Sequence, residues 1–154
     1  MEVVMPTVKQ GLRGAPWNQL RQTGERKKPY TRMKAKLFGA KPELLYAMDR
    51  TLSVFFGKGL PCIWTSIVRP KNFMRTFSLH PFGWAADCIS DRHLPPEMWK
   101  ELETDLREEL GAQYDVLTHD AGSGMHAHLE FDPKDEPEFQ KWKEEMKREH
   151  QLRR

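Results

Sequence analysis

The seven residues from Met125 to Phe131, MHAHLEF, alternate without a break between apolar and polar side chains. Successive side chains of a strand point to opposite faces, so Met125, Ala127, Leu129 and Phe131 share one side while His126, His128 and Glu130 share the other. A chain with such a strand must build a sheet with one covered face and one face carrying two imidazoles and a carboxylate. The rest of the sequence has to supply both the cover and the neighbours of those groups.

The cover is legible as helices. Leu44, Leu45, Met48, Leu52, Phe55 and Phe56 recur at helical spacing, with Pro42 suited to a first turn and Gly57 to a stop. Pro95 and Pro96 open a second helix whose stripe is Met98, Trp99, Leu102, Leu106 and Leu110, closed by Gly111. Three further runs read as strands: CIWTSIV, ending at Arg69-Pro70, then GWAADCIS, then QYDVLT, which the turn HDAGSG joins to MHAHLEF. Lys71 to Phe77 reads as a connector or a single helical turn. From Pro137 onward Phe139, Trp142 and Met146 mark one side of a charged helix. This order of elements predicts an α+β fold with a small, mostly antiparallel sheet and flanking helices.

Length and charge divide the chain further. With 154 residues and 38% hydrophobic content there is material for one core. No apolar run approaches the roughly 18 residues of a membrane span, and the N-terminus lacks the apolar centre of a secretory signal, so synthesis in the cytoplasm without export is expected. Residues 1–40 hold nine Lys or Arg against Glu2 and Glu25, which in a chain of net +3 leaves the remainder acidic. They show no sustained period and read as a basic, irregular arm, docked at most through Trp17 and Leu20. Such an arm can attract anionic cell-wall polymers or nucleic acid. The acidic remainder and the absence of a reading motif argue against a nucleic-acid-binding protein. Cys62 and Cys88 match no zinc or disulfide pattern and read as reduced, buried thiols.

The chemistry concentrates in SLHPFGWAAD, Ser78 to Asp87. Zinc takes about four ligands from imidazole, carboxylate and thiolate, and a catalytic site keeps one position open. His80, Asp87 and one histidine of MHAHLEF would make such an open set, with His80 on a loop and Asp87 on the strand after it. Gly83 would let the backbone turn close to the metal, and Ala85 would leave room beside it. On composition alone, a His or Asp near apolar residues is more often a hydrogen-bonded structural group than a ligand.

SLHPFGWAAD fits Ser-x-His-x-x-Gly-x-Ala-x-Asp, and together with HAHLEF it resembles the zinc D-Ala-D-Ala carboxypeptidase family. That family includes the vancomycin-resistance D-Ala-D-Ala dipeptidase and phage L-alanyl-D-glutamate endolysins, with the hedgehog signalling domain as a structural relative. The resemblance spans about residues 41–133 and implies a hedgehog-like zinc peptidase domain there, with residues 134–154 as a charged helix packed on it. It implies Zn2+ held by His80, Asp87 and His128, and Arg69 on the substrate carbonyl or oxyanion. Beside the metal it implies His126 supporting transition-state charge, Ser78 binding the substrate peptide or its carboxylate, and Glu130 orienting a ligand. Relatives carry a Glu or Asp three to six residues before the last ligand, where this chain has Gly122, Ser123, Gly124 and Met125. The general base is therefore expected from Asp120, in preference to His119, just ahead of the AGSG turn. The implied activity is hydrolysis of peptidoglycan stem peptides, by a phage or bacterial enzyme reaching the wall after lysis, holin release or virion delivery. The second expectation is a non-catalytic zinc-containing binding or virion module of the same fold.

Overall fold

The computed structural model describes residues 30–69 and 77–153. The expectations for residues 1–29, including Trp17 and Leu20, and for most of the Lys71–Phe77 connector lie outside the described residues. The fold is α+β, with three α-helices and a five-stranded mixed sheet among the described residues. In chain order the elements are β1 (Thr31–Met33), α1 (Pro42–Gly57), β2 (Cys62–Ser66), β3 (Ala85–Ile89), α2 (Pro96–Leu110), β4 (Tyr114–Asp120), β5 (Met125–Phe131) and α3 (Pro137–Leu152). A single 3-10 turn, His80–Phe82, precedes β3.

The strands lie in the order β1-β2-β3-β5-β4. Three pairings are antiparallel, but β1 runs parallel to β2, so the sheet is mixed rather than uniformly antiparallel. The reason is the connection: β1 reaches β2 through α1, and a crossover helix returns the chain in the same direction, whereas hairpins reverse it. β1 also shortens the irregular arm expected over residues 1–40, because Thr31–Met33 belong to the sheet and Lys34 N–H donates to the Trp64 carbonyl at 2.9 Å. All three β1 side chains are exposed, so no apolar alternation announces this strand.

One face of the sheet is covered by α1 and α2. The helices contribute Leu44, Ala47, Met48, Phe55, Met98, Trp99, Leu102, Leu106 and Leu110 to the core, against Trp64, Ala86, Cys88, Val116, Ala127 and Leu129 of the strands. The period-2 and period-3.6 patterns interlock here. On β5, Ala127, Leu129 and Phe131 are buried and Met125 partly so, and the α2 stripe is buried at all five of its positions. On α1 the stripe is rotated from the expected one, with Ala47 and Thr51 inside and Leu45 and Phe56 partly exposed. Cys62 and Cys88 are free thiols inside this core, and burial raises the Cys88 pKa well above its ordinary value.

The helix α3 closes the end of the domain that carries the 3-10 turn. Trp142 packs against Phe82 and Trp84 with ring centroids 5.2 and 5.1 Å apart, and Phe139 meets Trp84 and Phe131 at 5.4 Å each. Asp132, just after β5, is almost fully buried and takes Lys134, Lys143 and Gln140. Burial opposes its charge, yet those donors outweigh it and hold its carboxyl well below the ordinary range. The aromatic cluster thus fixes the stretch between His80 and Asp87 from behind.

Gly83 ends the turn in the left-handed region, at φ 80°. A Cβ there would run into the carbonyl of Gly39, and, two residues on, Lys41 donates its N–H to the Gly83 carbonyl at 2.9 Å. The glycine lets the backbone turn, as the sequence suggests, and it also admits the 37–41 segment. Gly83→Ala is expected to lower unfolding stability in urea by more than about 2 kcal/mol, from left-handed strain plus the clash. Gly59→Ala, also at positive φ but with nothing within 4 Å, should lose only about 1 kcal/mol. Equal losses for the two would show that the Gly39 contact carries no energy.

Candidate metal centre

The sheet face away from the core holds the polar residues. Cross-strand register places Asp87 of β3 opposite both Ser66 of β2 and His128 of β5. The turn before β3 brings His80 to the same place. One ligand atom from each of His80, Asp87 and His128 lies within 4.8 Å of the other two. The three residues expected to bind metal are therefore gathered by three different means: a 3-10 turn, a central strand and its neighbour.

Each ring is oriented by its far side. His80 is fully buried, and its Nδ1–H donates to the Ile67 carbonyl at 2.7 Å. That leaves Nε2 facing the cluster, 3.4 Å from Asp87 Oδ1, buried and without a hydrogen bond among the described residues. His128 presents Nδ1 to the same oxygen at 2.8 Å, while its Nε2 lies 3.6 Å from Glu130 Oε2. A ligating imidazole is commonly held this way, with one nitrogen on the metal and the other on a carbonyl or carboxylate that fixes ring orientation. A cation would satisfy the buried Nε2 of His80, and the donor set fits one. Two nitrogens and one carboxylate oxygen, with a face left open, suit zinc far better than calcium or magnesium, which prefer all-oxygen shells.

Burial works against the Asp87 carboxylate, but the hydrogen bond from His128 and the proximity of His80 outweigh it and hold its carboxyl well below the ordinary range. Burial likewise disfavours a charged His128, yet its bonds to Asp87 and Glu130 push its pKa up to about 9. Arg69 lies at the margin, Nη2 3.5 Å from Asp87 Oδ2 and partly exposed.

A cleft of about 300 Å³ opens beside the cluster, lined by Arg69, Thr65, Ser66 and Asp87 on one side and Ser123, Gly124 and His126 on the other, with Ile89 between. His126 is held by its own strand: Nδ1–H donates to the Gly124 carbonyl at 3.2 Å, which leaves Nε2 for the cleft. Ser78 accepts the His80 N–H at 3.2 Å, so its hydroxyl caps the turn that carries the ligand.

Asp120 sits differently from the expected base. β4 extends through His119 and Asp120, and Asp120 Oδ1 accepts the N–H groups of Gly122 and Gly124 at 2.7 and 3.0 Å. It is exposed, does not line the cleft, and is engaged in holding the hairpin turn. His119 stands across from His126 with ring centroids 4.4 Å apart, and burial with the nearby imidazoles lowers its pKa. Sequence reading missed the Ile67 carbonyl, a backbone group that no side-chain pattern reveals, and the cleft walls Thr65, Ser66 and Ser123. The strand register would have found Ser66, since it pairs with Asp87.

Compared with known proteins, the chain matches no family model, no curated protein and no solved structure at a significant level. Among the described residues, no helix is long and apolar enough to cross a membrane.

Metal binding to the purified protein should approach about one equivalent at this centre and be lost when His80, Asp87 or His128 becomes Ala. Glu130→Gln should weaken it by about 10- to 100-fold, as removal of an orienting partner does. The pH dependence has a definite sign. The metal-free fold keeps a proton on His128 up to about pH 9, and metal must displace it. Affinity should rise by about tenfold per pH unit toward pH 9 and level off above it. A chelator-competition titration checks this, and an affinity flat in pH would remove His128 from the ligand set.

Proposed function

We propose that the protein is a zinc-dependent peptidase acting on peptidoglycan stem peptides, of the D,D-carboxypeptidase or L-Ala-D-Glu endopeptidase type. The hedgehog-like fold and the zinc D-Ala-D-Ala carboxypeptidase family remain part of that reading. The observation that carries it is the open N2O cluster of His80, Asp87 and His128 at the edge of a cleft that also holds Arg69 and His126. A zinc ion there supplies Lewis acidity toward a carbonyl and toward water.

The chain's own residues account for the remaining steps. Arg69, partly exposed on the cleft wall, binds the carbonyl oxygen of the scissile amide in this reading and stabilises the charge that develops on it. Outside the ligands, Arg69 and His126 are the ionisable residues lining the cleft among the described residues. Arginine does not release a proton, so His126 Nε2 is the atom that takes one from water and returns it to the leaving amine. Asp120, whose carboxylate is tied to Gly122 and Gly124, positions that histidine. It accepts the Gly124 N–H, and the Gly124 carbonyl accepts from His126 Nδ1. The wall substrate would be reached after lysis, holin release or virion delivery, with anionic wall polymers as the partner of the basic arm.

The withdrawn Asp120 is also the specific observation behind a second reading, a zinc-containing binding or virion module without turnover. Incubating zinc-loaded protein with purified peptidoglycan and resolving released peptides by mass separates the two and identifies the bond cut. No released peptide would leave the binding module. For the enzyme, His126→Gln should lower kcat by about 10²- to 10⁴-fold with zinc retained, the range for lost general acid–base catalysis. Asp120→Asn keeps a side-chain oxygen for the turn and should cost less than about tenfold. A loss as large as that of His126→Gln would restore Asp120 as the base.

A further inference from the structure

We infer that His119 and His126 form a second metal site, for a late first-row divalent ion such as zinc, on the outer end of the β4–β5 hairpin. The two residues are directly paired across the antiparallel strands. Their ring centroids are 4.4 Å apart, closer than the 5.1 Å between the His80 and His128 rings at the first centre. An ion about 2.0–2.1 Å from one nitrogen of each ring sets the centroids about 4.5 Å apart at a right angle and about 5.2 Å apart near the tetrahedral angle. The observed spacing needs little adjustment to close on a metal.

The nitrogens are available. His126 Nδ1 is committed to the Gly124 carbonyl, so Nε2 is its ligating atom. His119 has no hydrogen-bond partner among the described residues, and both side chains are partly exposed. The frame beneath them is fixed on either side of His119. Thr118 gives its N–H and its hydroxyl to Glu103 Oε2 at 2.8 Å each, and Asp120 clamps the turn through Gly122 and Gly124. Imidazole pairs suit zinc, copper and nickel and have no preference for calcium or magnesium. With two protein ligands and the rest water, this site is weaker than the first and fills only when metal is in excess.

Its functional consequence rests on the peptidase reading: an ion on His126 Nε2 occupies the atom proposed to carry the proton, so excess zinc switches the reaction off. The site itself does not depend on that reading, and neither does its test. Zinc is titrated into the metal-free full chain by calorimetry, with the imidazole resonances followed by NMR. Wild type should bind about two equivalents in two phases, the second moving the His119 and His126 resonances. His119→Gln should keep only the tight phase, and Asp87→Ala should keep only the weak one. The double variant Asp87→Ala/His119→Gln should bind none. Two equivalents in His119→Gln, a single equivalent in wild type, or a second phase that leaves both resonances unmoved would each overturn the inference. Failure of peptide hydrolysis with one zinc bound, at the first centre only, would count against the enzyme and leave the site standing.

Discussion

A buried carboxylate is the constraint around which the rest is arranged. Asp87 lies at the centre of the sheet, on β3 between β2 and β5, and is 7% exposed. Leaving such a charge without partners would cost several kcal/mol, comparable to the net stability of a small domain. Its compensation comes from outside its own strand: His128 from β5, His80 from the turn and Arg69 from beyond β2. Each must arrive with its backbone already placed, so the pairing register, the 3-10 turn and the aromatic support behind it are all conditions for keeping the charge. Core packing by α1 and α2 supplies the stability this cluster consumes, because it buries only the opposite face.

What could be read from the sequence follows from how local its cause is. The strand β5 was legible because one face packs on the core, Ala127, Leu129 and Phe131 fully and Met125 in part, which writes a period of two into seven residues. The buried face of α2 was legible for the same reason at period 3.6. By contrast β1 is three exposed residues held by a parallel partner some thirty positions away, and nothing within Thr31–Met33 encodes that. Gly83 was recognisable as special, but its cause is the approach of Gly39, a contact between segments that only the fold creates.

The candidate site divides along the same line. The ligands carry side-chain chemistry, and their spacing could be compared with a pattern. The orientation of His80 depends on the Ile67 carbonyl, which every residue type possesses. Asp120 shows how a chemical expectation meets geometry: a carboxylate was sought near the last expected ligand, and one is present, but its Oδ1 accepts from two backbone N–H groups. The order Asp-x-Gly-x-Gly was itself a turn signal, since Asp side chains readily accept from the N–H two residues on. Weighing that competing bond would have turned attention to His126, the imidazole that lines the cleft.

The hairpin end therefore links three properties that are separate in the sequence. Asp120 sets the turn, the turn sets the Gly124 carbonyl, and that carbonyl decides which nitrogen of His126 faces the cleft. The inner centre has its rings fixed by a buried carbonyl and by Glu130. The outer pair is fixed only by this turn and by Glu103 beneath Thr118. Preorganisation favours binding by reducing what must be ordered at the moment of binding. The inner cluster is more buried and richer by one carboxylate, so on the proposed reading it would fill first. On the proposed reading, whatever tightens the turn would strengthen both the proton-carrying nitrogen and its blockade by metal, because the two use the same lone pair.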